Sequence, residues 1–118
     1  MGKYLVDEEG NPINKTNPLP IKAFVGLRSI SHSVVNVGLA TTEVLTGNPD
    51  RKSALFINDS DTVVYIKFGT TATLNSGVRL DANGGKYEMS VGLGNLWTGT
   101  VNAISSVDLK KILVTEGE

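Results

Sequence analysis

The segment KSALFINDSDTVVYIKF, residues 52–68, indicates an all-β fold more clearly than any other part of the chain. Its two halves, residues 52–58 and 62–68, are rich in β-branched and aromatic side chains, which favour strands. Between them the short polar side chains of residues 58–61 bond readily to nearby backbone and favour a turn. The segment therefore predicts two strands joined as a hairpin. Because both strands carry apolar residues on both faces, we expect them in the centre of a sheet.

Residues 77–91, downstream of this segment, predict a second hairpin. Tyr87, Met89 and Val91 alternate with polar residues, which is the period of a half-buried strand. The pair Asn83-Gly84 before this strand suits the positive φ angles of a tight turn. We therefore expect residues 77–80 to pair with residues 86–91.

The remaining strand signals run to both ends of the chain. A closing pair, turned at residues 106–108, is expected near the C-terminus, although Leu109, Ile112 and Leu113 also have helical spacing. Seven to nine short strands separated by turn signals predict an antiparallel β-sandwich or a barrel-like domain over residues 21–118. The further predicted strands are residues 22–27, 33–39, 42–45, 100–105 and 109–115.

The first twenty residues, here called the N-terminal arm, differ from the rest of the chain. They contain three of the four prolines, so this segment lacks backbone donors and prefers extended geometry. Its opening residues 3–6 are nevertheless apolar and strand-like. We expect the arm to add a strand to a neighbouring subunit; the alternative is an edge strand folded back on its own domain. The predicted protein contacts are Tyr4, Leu5, Val6, Leu19 and Ile21.

Composition limits the classes of function. The chain has 118 residues, which suits one domain, and 11 basic against 12 acidic residues give a net charge of -1. A nucleic-acid or anionic-membrane partner is therefore not expected. The absence of cysteine excludes disulfides and thiolate chemistry. The sequence shows no signal-peptide pattern and no apolar run long enough to span a membrane, so we expect a cytoplasm-like environment.

Residues with chemical potential are few. His32 is the only histidine; it has no nucleophile-elbow motif around it and cannot hold zinc alone. Asp59 and Asp61 resemble the start of a calcium loop, but a strand follows directly and a polar turn is favoured. We therefore predict no catalytic residue, no cofactor and no metal site.

Trp97, the only tryptophan, lies in the glycine-rich run of residues 92–99. Tryptophan is enriched at binding hot spots, so this side chain could contact a partner or stack on a sugar, with Asn95, Thr98 and Asn102 as polar neighbours. Alternatively it closes one end of the sandwich by packing, and this is the favoured interpretation.

Several segments resemble small virion proteins of tailed bacteriophages. They are residues 4–13, residues 17–21, the central run 52–66, the loop 77–80 and the Gly84-Gly85 turn. The resemblance implies a non-enzymatic structural protein of the phage particle, made in the host cytoplasm, and favours a capsid decoration protein. A tail, head-to-tail joining or fibre and baseplate component is the alternative. The implied partners are the major capsid protein or other virion proteins, and a homo-oligomer, with a trimer favoured.

Overall fold

The computed structural model of this protein describes residues 26–118. Within them the chain forms eight β-strands and no helix, as the all-β prediction requires. The strands are β1 (Ile30–Val37), β2 (Thr42–Leu45), β3 (Ser53–Asn58), β4 (Val64–Phe68), β5 (Val78–Leu80), β6 (Lys86–Ser90), β7 (Val101–Ser105) and β8 (Lys110–Gly117).

The strands form two antiparallel sheets of four. Sheet A has the order β1-β8-β3-β6 and sheet B has the order β2-β7-β4-β5. The pairs β1–β8, β2–β7, β3–β6 and β4–β5 are nested, and successive pairs alternate between the sheets. Two further pairings join these pairs into four-stranded sheets: β3–β8 in sheet A and β4–β7 in sheet B. A nested antiparallel ribbon rolled in this way is an eight-stranded jelly roll, so the predicted β-sandwich is confirmed.

Alternation along the strands places the core between the sheets. In β3, Ala54 and Phe56 are buried and point toward sheet B, while Leu55 and Ile57 face outward. Each large apolar side chain that is fully buried contributes roughly 1.5–3 kcal/mol to stability. The largest buried apolar side chains of the core are Phe56, Ile66, Leu80, Met89, Ile112, Val37, Val64, Val101 and Val114.

The three predicted pairings of consecutive strands are wrong, although the strands themselves lie close to their predicted positions. Strands β3 and β4 belong to different sheets, as do β5 and β6, and β7 and β8. Their connections therefore cross from one sheet to the other. The turn chemistry is nevertheless as expected, because Asn83 and Gly84 have φ values of 59° and 110°.

The first predicted strand, residues 22–27, lies mostly outside the described residues, and its last two residues, Gly26 and Leu27, are not in a strand. The N-terminal arm lies wholly outside them. None of the residues that the structure describes forms a helix long and apolar enough to cross a membrane.

One charged side chain is fully buried at the end of the sandwich where β1 begins. The guanidinium of Arg51 donates to Glu116 Oε2 at 2.7 Å and to the backbone oxygens of Thr46, Trp97 and Gly99 at 2.6, 2.8 and 3.0 Å. The side chain has no solvent exposure. Arg51 therefore ties the β2–β3 and β6–β7 loops to strand β8.

Candidate interaction surface

The outward face of sheet A carries an apolar row where a solvent-facing sheet would carry polar side chains. Val34 in β1, Leu113 in β8 and Ile57 in β3 are aligned across three neighbouring strands. Leu55 lies in the next outward row, beside Thr115. Val34 is 60% exposed. These four aliphatic side chains, Val34, Leu55, Ile57 and Leu113, are called the sheet A patch below.

A shallow depression of about 320 Å³ lies on this patch. Its volume is at the lower end of the range typical of small-ligand pockets, but it is open and its lining is mainly apolar, which suits one or two side chains of a protein partner. The residues that line it include His32, Ser33, Val34, Ile57, Leu113 and Thr115.

The outward face of sheet B differs because the chain itself covers part of it. The β4–β5 loop, residues 69–77, bonds to this face at several points. Asn102 Nδ2 donates to the Gly69 oxygen at 2.6 Å, and the Tyr65 hydroxyl is 2.8 Å from Asn75 Oδ1. The uncovered part of this face includes charged residues such as Lys67. On sheet A, by contrast, the outward apolar row lines the open depression, and Leu27 lies on this face beside Gly117.

Strand β1 gives the sheet A patch an open edge. It is eight residues long, pairs with β8 without a bulge, and has no strand on its other side within residues 26–118. Its sequence, ISHSVVNV, contains no proline and no acidic or lysine or arginine residue. Natural proteins usually protect long edges with such residues or with bulges. An edge without them is suited to pairing with another strand.

The chain that precedes β1 lies on the outward face of sheet A. The backbone nitrogens of Arg28 and Ser29 donate to the Glu118 oxygen at 2.5 and 3.2 Å. A Cβ on Gly117 would lie 2.7 Å from Leu27 Cδ1 and 2.7 Å from Ser53 Oγ. Because Gly117, Thr115 and Leu113 lie on the same face of β8, Leu27 packs on the outward side of sheet A. The chain thus approaches β1 across β8 and not along its open edge.

The predicted contacts in the N-terminal part of the chain, Tyr4, Leu5, Val6, Leu19 and Ile21, lie outside the described residues and stay predictions. Trp97 is described, and the residue is 41% exposed. Its Nε1 donates to the Thr100 oxygen at 3.0 Å, and its ring lies 6.4 Å from that of Phe68, centroid to centroid. The ring therefore packs on the end of the sandwich, while the residue as a whole stays partly accessible.

The amides expected beside Trp97 are engaged within the chain. Asn95 Nδ2 donates to the Glu88 oxygen at 3.0 Å, and Asn95 Oδ1 accepts from the Ser90 nitrogen at 3.0 Å. Asn102 is buried and donates to Gly69. A sugar at Trp97 would therefore find neither amide free.

The other candidate residues are held by neighbours. His32 Nδ1 is 3.0 Å from Thr115 Oγ1, and both residues line the depression. Asp61 Oδ1 accepts from Lys110 Nζ at 2.7 Å, and this bond holds the pKa of Asp61 below its usual value. Asp59 lies 3.9 Å from Lys111. Within residues 26–118 no group of three or more potential metal ligands is close enough to bind a metal ion.

The sheet A patch was not identified from sequence, although a signal for it is present. Residues 55–57 are apolar on both faces, and this pattern predicted a central strand. Strand β3 is indeed central in sheet A, but a two-layer sandwich leaves the outward face of a central strand uncovered. In that architecture, apolar residues on both faces also indicate a contact surface.

Comparison with protein-family models, curated proteins and solved structures found no match to this chain.

Proposed function

We propose that this chain is a non-enzymatic structural protein of a tailed-bacteriophage particle, and specifically a capsid decoration protein that binds and stabilises the assembled shell. The observation that supports an assembly role is the sheet A patch beside an edge strand that no other strand of residues 26–118 pairs with. An aligned aliphatic row on an outward face is stabilised further when a subunit of an assembly buries it against a neighbour. The phage context rests on the sequence resemblance.

The chemistry of the surface fits a protein partner. The patch is uncharged, and its edge offers backbone donors and acceptors to an added strand. Four basic side chains, those of Arg51, Arg79, Lys110 and Lys111, are paired with carboxylates, which leaves less positive charge for a polyanion. A protein that binds only the assembled shell adds its binding free energy to the stability of that state.

The test is co-expression of the full-length chain with the major shell protein encoded in the same genome, followed by gradient purification of shells. We expect the chain to sediment with assembled shells and not with unassembled shell protein. Absence of the chain from purified shells would overturn the decoration role. Recovery with tails or connectors instead would assign it to another part of the particle.

A pair of variants tests the surface itself. Val34→Asp places a charge on the exposed patch and should abolish sedimentation with shells, whereas Lys67→Asp places the same charge on the outward face of sheet B and should not. Circular dichroism checks that both variants are folded. If Val34→Asp is incorporated as fully as the wild type, the sheet A patch is not the contact surface.

A further inference from the structure

We infer that the open edge of β1 receives the segment of residues 3–6 from the N-terminal arm of a second copy of this chain. The inference rests on the proposed function and specifies the partner of one surface of the subunit. The acceptor is strand β1 together with the depression on the sheet A patch.

The acceptor geometry is that of strand addition. A strand that pairs with the free side of β1 places alternate side chains on the outward face, next to His32 and Val34. Neighbouring side chains on adjacent strands lie about 4.5–5.5 Å apart, so these side chains reach the depression. The depression is mainly apolar, and the polar residues that line it on the outward face are His32 and Thr115.

The sequence of the arm matches this acceptor. Tyr4 and Val6 fall on one face of an extended segment and Leu5 on the other. An aromatic and an aliphatic side chain suit the depression, and His32 and Thr115 offer polar groups to the tyrosine hydroxyl. The segment carries one charge, on Lys3, and β1 carries no lysine, arginine or acidic residue that would oppose it.

The path of the chain favours a second copy over the same copy. Leu27 packs on Gly117, and the backbone nitrogens of Arg28 and Ser29 donate to the Glu118 oxygen. The chain before β1 therefore departs over β8, away from the open edge, and a tight hairpin onto that edge would have to break these contacts. Tyr4 precedes Gly26 by 22 residues, a length that spans up to about 75 Å when extended, which is ample to reach a neighbour.

The experiment uses crosslinking of the isolated full-length protein, with no shell protein present. Because the chain has no cysteine, single cysteines are unique handles. A size-tagged Lys3→Cys variant is mixed with an untagged Asn36→Cys variant, whose new thiol lies on the outward face of β1, and a short bis-maleimide is added. The matched control replaces Asn36→Cys by Lys67→Cys on sheet B.

We expect a crosslinked product of tagged and untagged chains that forms several-fold more with Asn36→Cys than with Lys67→Cys. Adding Val34→Asp to the acceptor should reduce the yield to the control level. Equal yields with both acceptors, or a monomer with no product, would overturn the inference. A double variant, Lys3→Cys/Asn36→Cys, gives a further outcome. If it crosslinks only within single chains, the edge of β1 receives the arm of the same copy and the inference is overturned.

The outcome is separable from that of the proposed function. Sedimentation with shells but no crosslink between copies would reject arm exchange and leave the decoration role intact. A crosslink between copies without sedimentation with shells would support arm exchange and reject the decoration role.

Discussion

Replacing Arg51 with methionine removes the buried charge that ties two loops to strand β8. The variant keeps most of the side-chain volume but leaves Glu116 without its cationic partner and orphans the backbone oxygens of Thr46, Trp97 and Gly99. Breaking one partner of a buried ion pair costs about 3–5 kcal/mol. Glu116 is 16% exposed and retains Asn48 Nδ2 at 3.1 Å. We therefore expect the lower part of that range.

The assay is equilibrium denaturation in urea, monitored by the fluorescence of Trp97. A loss of about 3 kcal/mol is a large share of the 5–15 kcal/mol typical of a domain, and it should lower the melting temperature by at least about 12 °C. Arg51→Lys should also be clearly destabilising, because an ammonium cannot match the planar fork of donors that these four acceptors surround.

The matched control is Arg79→Met. Arg79 forms an ion pair with Asp81 in which both side chains are more than half exposed, so its loss should change stability by less than about 1 kcal/mol. If Arg51→Met were no more destabilising than Arg79→Met, the role assigned to the buried guanidinium would be refuted.

Three further predictions concern the loops and the strand ends beside them. Asn58→Ala should lower the free energy of unfolding by about 1–3 kcal/mol, because it leaves the buried Leu80 oxygen without its donor, whereas the Thr62 oxygen keeps Ser60 Oγ; urea denaturation measures this. Gly77→Ala should cost about 2–4 kcal/mol, since φ is +92° and a Cβ would lie 2.3 Å from a backbone oxygen, whereas Gly92→Ala should be nearly neutral, because a Cβ there would make only an ordinary contact with Ser90 Oγ at 3.8 Å. Because the pKa of Asp61 is lowered in the folded protein, its ion pair stabilises the fold at pH values above the unfolded pKa, near 3.8, and this stability is lost as the pH falls through the folded pKa. Lys110→Met should raise the pKa of Asp61 measured by NMR titration, and an unchanged pKa would refute the assigned cause.

The positions of the strands could be predicted because their signals are local. Alternation, β-branched residues and turn chemistry depend on neighbours in sequence, and residues 42–45, for example, coincide with β2. The predicted helical alternative for residues 109–115 does not occur, since Leu109 has a φ of 60° and β8 starts after it.

The pairing of the strands could not be predicted in the same way. A tight turn between two strands favours a hairpin, but in this fold the connection changes sheets, and only β4 and β5 are both consecutive and paired. Which strand lies opposite which is decided by burial of the whole nested ribbon and not by any one turn.

The buried Arg51 site and the sheet A patch could not be predicted either, because each combines residues that are distant in sequence. Arg51 precedes Lys52 and looks like half of an exposed basic pair, yet its acceptors come from three separate segments of the chain. The sheet A patch likewise combines β1, β3 and β8, whose alignment exists only in the folded sheet.

Hydrogen exchange of the β1 amides gives the most direct test of sheet A as a contact surface. Residues 30–37 would be compared in purified particles that contain the wild-type chain and in the isolated Val34→Asp variant. We predict that exchange in β1 is strongly slowed in the particle, while the outward face of sheet B is little changed. Rapid exchange of β1 in the particle, with new protection confined to sheet B, would contradict the account.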